Sequence, residues 1–194
     1  MKIGIDVDNV VVDLNKGFID FYNSNFDKNI SMDDFKEHYY LSDLFGISRD
    51  EEWDLWNSYH NSELFDEMSF VEGVKAAIDF LKAKHELFFI TARHLSWKDK
   101  TDKLFEKHFG DVNLIFSGDV YGGRQKDEIC EENGIKILVE DHPTHSLDYA
   151  KKGIKILLFD RPWNKKVEHE NIIRVKNWEE ILERIKNIDL ENDS

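Results

Sequence analysis

The stretch Lys2-Ile3-Gly4-Ile5-Asp6-Val7-Asp8-Asn9-Val10-Val11-Val12-Asp13 constrains this chain more than any other, because an apolar strand pattern runs straight into two carboxylates. In an extended backbone alternate side chains share a face, so Asp6 and Asp8 at a strand end can both reach one phosphate or metal beyond the sheet edge. That spacing suits a nucleophile and its proton donor. Burying acids in such a β-branched run is costly unless partners compensate, and a cation is the obvious partner. The plain alternative is a strand that ends in an acidic turn, and the rest of the chain decides between the two.

From Leu14 to about Phe70 the pattern turns helical, with Phe18, Phe21, Tyr22 and Phe26, then Trp53, Trp56 and Tyr59, recurring three and four residues apart. This segment holds 13 of the chain's 25 aromatic residues, more than its share by length, and it begins just past the acidic strand end, so it is expected to sit over any site there. Most of these aromatics are expected to pack the segment itself, with two or three lining a pocket and stacking on a base. Strand and helix patterns then alternate. A helix opens at Glu72-Gly73, and a strand over Glu86–Ile90 ends at Thr91-Ala92-Arg93-His94. A helix over Lys98–Phe109 is expected to turn Leu104, Phe105 and His108 inward and to stop at Gly110. A third strand ends near Phe116. The loop after it delivers Lys126 to a helix start, with Gly122-Gly123 read as a flexible turn that lets Lys126 approach. Strands over Ile135–Val139, Ile154–Phe159 and Ile172–Val175 follow, the first ending in Glu140-Asp141-His142-Pro143, with a helix from Ser146 to Lys152 between the first two. Asn177 and Glu180 sit at capping-box spacing for a last helix, and the tail Glu191–Ser194 is expected to fray.

Alternating strands and helices imply an α/β fold with a Rossmann-like parallel sheet and helices on both faces, because parallel neighbours need crossover connections. The expected organisation is an α/β core of residues 1–13 and 71–194, with a small helical cap, residues 14–70, inserted after the first strand. In such sheets the site lies beyond the strands' carboxyl ends.

A formal charge of −14 repels polyanions and argues against a nucleic-acid polymer as partner, while a small phosphate in a local positive pocket is compatible with it. Cys130 is the only cysteine, so no intrachain disulfide forms; it is expected to be a buried structural thiol in a reducing compartment. No apolar run approaches the roughly 18 residues of a spanning helix, and the amino terminus lacks signal-peptide features. A cytoplasmic protein without membrane contact is the expectation. His142 and His145, separated by a proline and without a cysteine nearby, are read as an exposed turn rather than a zinc site.

Taken in order, Asp6-x-Asp8, Thr91, Lys126 and Glu140-Asp141 offer a nucleophile, a phosphate-binding hydroxyl, a phosphate-binding cation and acidic metal ligands, which are the parts of phosphoryl transfer. A carboxylate attacking a dianionic phosphate needs a hard cation such as Mg²⁺. The motifs Ile5-Asp6-Val7-Asp8-Asn9-Val10, Ile90-Thr91-Ala92-Arg93, Lys126 and Val139-Glu140-Asp141-His142-Pro143 resemble those of the haloacid dehalogenase-like hydrolase superfamily. The insert directly after the first motif, with Val12-Asp13 closing that motif, looks like the 5'(3')-deoxyribonucleotidase branch and its bacterial relatives.

The resemblance implies that Asp6 forms an aspartyl phosphate and that Asp8 protonates the leaving alcohol, then activates water. It implies magnesium held by the Asp6 carboxylate, the Asp8 main-chain oxygen and Asp141. It further implies a phosphoryl group held by Thr91, Ala92 and Lys126, with Glu140 supporting the metal site and Lys126. Three positions depart from the pattern: Asn9 replaces a common glycine, Ala92-Arg93 stands where the animal enzymes have Ser-Pro, and Glu140 replaces an aspartate. Arg93 is a candidate substrate contact. The expected activity is Mg²⁺-dependent hydrolysis of a phosphomonoester, a nucleoside monophosphate first and another small ester such as a sugar phosphate second. A phospho-accepting receiver module or a catalytically silent binding domain is the alternative from another class.

Overall fold

The computed structural model describes residues 1–118 and 123–192; Gly122 of the predicted turn and the last two residues of the predicted frayed tail lie outside that range. Six parallel strands, β1 (Lys2–Asp6), β2 (Glu86–Thr91), β3 (Asn113–Phe116), β4 (Ile137–Glu140), β5 (Lys155–Phe159) and β6 (Ile172–Val175), form one sheet in the order β3-β2-β1-β4-β5-β6. The order reverses at β1, so the crevice at the carboxyl ends of β1 and β4 is the place where such a sheet receives ligands.

The strands read as continuous apolar runs because alternate residues are buried on opposite faces. Ile3, Ile5, Phe89, Val139 and Leu157 enter one apolar cluster, whereas Phe88, Ile90, Leu138, Ile156 and Leu158 enter the other. Gly4 belongs to the second face, where a Cβ would lie 2.8 Å from Leu138 Cδ1 and 3.3 Å from Ile135 Cγ2, so neighbouring apolar side chains close directly over the β1 backbone.

Insert helices α1 (Leu14–Phe26), α2 (Leu41–Phe45), α3 (Arg49–His60) and α4 (Glu63–Asp66) come between β1 and the first core helix. α3 starts where Ser48 and Glu51 cap each other reciprocally. Phe18 of α1 packs on Trp56 of α3 at 4.7 Å between ring centroids, and Tyr22 stacks on Phe45 at 4.7 Å. The two ends of this segment meet: Val12 and Phe70 form an antiparallel bridge, flanked by Asp13 N–H to Ser69 O and Val71 N–H to Val11 O, each 2.9 Å. Its apolar side chains are continuous with the first sheet-face cluster, which also contains Phe18, Phe35, Leu41 and Tyr59.

Helices α5 (Val74–Lys82), α6 (Lys98–Phe109) and α9 (Trp178–Asn192) bury residues in that same cluster, and α7 (Lys126–Asn133) and α8 (Pro143–Lys151) cover the other face. In α6 the inward stripe is Thr101, Phe105 and Phe109, four residues apart. His108, predicted to point inward, lies at the stripe's edge, against Phe70 and within 3.0 Å of Lys75 Nζ. Cys130 is fully buried, and burial pushes its thiol up to about 12, as suits a structural residue. No helix among the described residues is long and apolar enough to cross a membrane.

The predicted start of α8 at Ser146 is too late by three residues, and the exposed turn predicted at His142 and His145 is absent. Pro143 occupies the first turn of α8, where its missing N–H costs nothing. His142 is the cap: its Nδ1 accepts from Thr144 N–H at 3.2 Å and His145 N–H at 3.1 Å, and the residue is only 4% exposed. The His145 ring stacks on it at 3.7 Å between centroids.

Candidate active site

Three strand ends and one helix start converge at the sheet's carboxyl edge. Asp6 closes β1, Glu140 and Asp141 close β4, and each of the three can offer a carboxylate oxygen within 4.8 Å of the other two. Lys126, the first residue of α7, is buried between them, with Nζ 2.5 Å from Asp6 Oδ1 and 3.1 Å from Glu140 Oε1. Glu140 turns its other oxygen to Asp141 N–H at 3.2 Å, so both of its oxygens are engaged. Asp141 Oδ2 accepts from Trp163 Nε1–H at 3.0 Å and its main-chain oxygen from Asn164 Nδ2–H at 2.8 Å.

Burial, reinforced by Glu140, holds Asp6 well above the usual carboxylate range despite Lys126. The same two causes push Asp141 up to about 8. One lysine among three buried acids leaves negative charge uncompensated. Buried hard oxygen ligands with that imbalance fit a divalent cation of the Mg²⁺ class.

Just ahead of Lys126 the backbone is closely packed at Gly123. Gly123 N–H donates to Gly118 O at 2.8 Å, and a Cβ on Gly123 would lie 2.3 Å from Ser117 O, so the position excludes any side chain.

Asp8 lies beyond the end of β1, in an isolated bridge with Val12, and its carboxylate leaves the acid cluster for Arg93. Arg93 Nε–H reaches both Asp8 oxygens at 3.1 Å, and a terminal nitrogen reaches Oδ1 at 2.7 Å. The guanidinium also donates to Thr101 Oγ1 at 3.0 Å and lies 5.1 Å from the centre of the Phe65 ring. Arg93 is thus buried and committed to Asp8. Thr91 is fully buried as well: its hydroxyl accepts from Arg93 N–H at 3.1 Å and lies 3.5 Å from Asp8 Oδ2. Of this strand end, Ala92 and Arg93 line the cavity.

Asn9 explains its own departure from glycine. Its φ is 60°, in the left-handed region that asparagine tolerates better than most residues. Its side chain accepts from Asn15 N–H at 3.0 Å and so caps α1, where Asp13 makes no side-chain cap. Its carbonyl accepts from Arg161 Nε–H at 3.0 Å and from the Arg161 terminal nitrogen. Asn9→Ala should cost about 2–3 kcal/mol in urea unfolding, through two lost hydrogen bonds and a strained φ, and Asn9→Gly about 1 kcal/mol less. Equal losses would show that the φ carries no strain.

A cavity of about 630 Å³ opens over the acids. Its far walls come from the insert, through Tyr39, Tyr40, Trp53 and Trp56, and from Trp97 after β2. Trp97 lies between Trp53, at 5.0 Å, and His60, at 3.6 Å, nearly parallel to both. Across the cavity, Tyr40 Oη lies 3.3 Å from Nε2 of His142, which carries that ring's proton because Nδ1 accepts. Burial pushes His142 down to about 2, so the ring stays neutral.

Asp6, Lys126, Glu140 and Asp141 are therefore together as the sequence suggested, and Asp8 opens to the same cavity. Trp163, Asn164, Arg161, Trp97 and Asn15 carry no role in the sequence reading, and His142 is read there only as part of an exposed turn. The strand-end triplet Asp160-Arg161-Pro162 was a signal for the first three, since it marks a further strand ending at the same sheet edge.

The fold, the insert and the lysine-bearing acid cluster define a hydrolase of the haloacid dehalogenase-like class. Among solved structures, the haloacid dehalogenase-like family protein SP0104 from Streptococcus pneumoniae matches with a TM-score of 0.68 at 16% identity, covering 95% of this chain and 97% of that one. The proposed HAD-hydrolase YfnB from Bacillus subtilis, described as bound to magnesium, matches with a TM-score of 0.63 at 14% identity, covering 94% and 97%. At these identities the likeness concerns the fold. The chain belongs to the family described as 5' nucleotidase, deoxy (pyrimidine), cytosolic type C protein, whose profile matches residues 1–189. YqfW of Bacillus subtilis, a proposed nucleotidase, is 31% identical over 191 residues, covering 96% of this chain and 94% of that protein. A nucleotidase of Clostridium acetobutylicum is 28% identical over 181 residues, covering 93% and 91%. The chain is a phosphomonoester hydrolase, which sets aside the receiver and silent-domain readings.

Proposed function

We propose that this protein hydrolyses a nucleoside monophosphate with Mg²⁺, through a phosphoryl group carried transiently on Asp6. The observation that supports this best is the buried trio Asp6, Glu140 and Asp141 with Lys126 set between two of them. Mg²⁺, when bound, offsets charge on the phosphoryl oxygens. In this reading the Asp6 and Asp141 carboxylates and the Asp8 main-chain oxygen hold it, and Glu140 keeps Lys126 and the Asp141 backbone in place.

Asp6 attacks phosphorus, and Lys126 exchanges its bond to Asp6 for one to the transferring group. Asp8 gives a proton to the departing alcohol, then takes one from the water that attacks the phosphoenzyme. Arg93 fixes both Asp8 oxygens and so aims them, which makes it a positioning residue in this proposal rather than a substrate contact. Thr91, behind Asp8, steadies the same carboxylate, and the Ala92 backbone is left to face the phosphoryl group. The family's description and the nucleotidase relatives support a nucleotide as substrate, as do the aromatic walls. We treat residues 14–70 as a cap that sets substrate choice, since the segment leaves and rejoins the core beside the catalytic strand.

The test is a screen of purified protein against nucleoside monophosphates, sugar phosphates and nitrophenyl phosphate, with Mg²⁺ and in chelator. Hydrolysis should depend on Mg²⁺ and favour nucleotides. Preference for a sugar phosphate would replace the substrate, and full turnover in chelator would remove the metal.

A further inference from the structure

Asn15 is the second residue of α1, and the orientation of its amide follows from a group that has no choice. The Asn15 backbone N–H can only donate, and it reaches the Asn9 side chain at 3.0 Å, so that end of the Asn9 amide is the oxygen. The Asn9 NH2 group then faces the Asn15 side chain at 3.1 Å, and that end of the Asn15 amide must also be an oxygen. The Asn15 NH2 group is left pointing away from Asn9, without a hydrogen-bond partner among the described residues. Asn15 is only 6% exposed, yet it lines the cavity. The free end of this nearly buried amide therefore carries two donor protons and no acceptor, on a residue that lines the space over the acids.

We infer that Asn15 is a specificity-determining residue whose NH2 donates to an oxygen on the alcohol half of the phosphomonoester. This rests on the proposed reading of the site as a nucleotide hydrolase; a sugar and a carbonyl-bearing base both offer such oxygens. In the proposed reading the phosphoryl half is claimed by Lys126 and the Ala92 backbone, which line the same cavity. Asn15 stands instead where the insert begins, beside Leu14 on the same helix. An NH2 held by a two-amide relay cannot rotate to offer its oxygen without breaking the bond to Asn9. A substrate with a donor at that point is therefore met by a donor.

The relay also makes the test clean. Asn15→Asp keeps an oxygen toward Asn9 and replaces only the donor, with an acceptor that repels the substrate oxygen. Asn15→Ala removes the donor and adds nothing. For each variant the readout is the ratio of kcat/KM for the ester that wild type prefers to kcat/KM for phenyl phosphate, whose alcohol half has no oxygen beyond the ester link. The ratio should fall about tenfold in Asn15→Ala and on the order of a hundredfold in Asn15→Asp. Melting curves identify a variant that has lost its fold, and the ratio is insensitive to the amount of active protein. An unchanged ratio in both variants overturns the inference and assigns Asn15 to the α1 cap. So does a wild type with no preference for oxygen-bearing esters over phenyl phosphate. If wild type prefers a sugar phosphate and the ratio for that ester falls, the nucleotide reading fails while the role of Asn15 stands.

Discussion

Asp6→Asn should form no phosphoenzyme with any substrate, whereas Asp8→Asn should form one with nitrophenyl phosphate and then stall. An amide is a far poorer nucleophile than a carboxylate, so the first variant loses the bond to phosphorus itself. The second keeps that nucleophile, with Lys126 still 2.5 Å away in the parent geometry. With a nucleoside monophosphate the departing alkoxide needs a proton, and Asp8→Asn should be slowed on the order of 10²-fold or more in its first step. Nitrophenolate leaves without help. On that ester Asp8→Asn should give a burst of nitrophenol, an adduct visible by intact mass, and slow turnover because no base activates water. A burst from Asp6→Asn would mean that the nucleophile is misassigned.

The second large effect concerns stability. In chelator the protein should melt higher at pH 6 than at pH 8, and at pH 8 Asp141→Asn should melt higher than wild type. Burial and Glu140 push Asp141 up to about 8, and Asp6 moves in the same direction. In the unfolded chain both ionise near about 4. Between those values the native chain holds protons that the unfolded chain has released, so stability is full at low pH and declines as pH rises through 8. Ionising Asp141 in place costs on the order of a few kcal/mol, or roughly 10 °C in melting temperature for a chain of this size. Asparagine is uncharged, nearly the same shape, and keeps an oxygen for the Trp163 Nε1–H bond. Mg²⁺ should raise the melting temperature of wild type at pH 8 and leave Asp141→Asn nearly unmoved, because the substitution removes a ligand of the proposed metal site. Identical melting of the two proteins from pH 6 to 8 in chelator would return Asp141 to ordinary carboxyl behaviour.

The parts of this molecule that could be read in the sequence are those set by strand ends. Asp6, Glu140 and Asp141 each close an apolar run, and parallel strands bring such ends to one edge whatever their separation in the chain. Lys126 was legible because it opens a helix on the intervening connection. The partner choices were not, because they depend on which side chain fills a given direction in three dimensions. Arg93 reads as a substrate contact after a strand, whereas in the fold it packs against Thr101 and Phe65 and is turned onto Asp8. His142 reads as part of an exposed turn; its role as a cap follows from Pro143 starting the helix early. Asn15 reads as a polar residue on a helix surface, and its orientation depends on the left-handed turn at Asn9. The stack of Trp53, Trp97 and His60 joins residues from either side of β2 and has no signature in spacing.

The bridge between Val12 and Phe70 has a consequence for how proteins of this kind can diversify. Because the two ends of the insert are bonded to each other, the span between them stays constant however much chain runs from one to the other. Longer connections then cost little, since closure entropy grows only with the logarithm of length. A head of different size or sequence can be grafted at this junction while the register of β1 against its neighbours is untouched. The constraint lies underneath: Phe18, Leu41 and Tyr59 are fully buried in a cluster continuous with the sheet face. Bare excision would expose that surface, so a replacement has to bring an apolar underside of its own. In the proposed reading of residues 14–70 as the cap that sets substrate choice, recognition and chemistry can change at different rates within one chain, joined at a fixed socket.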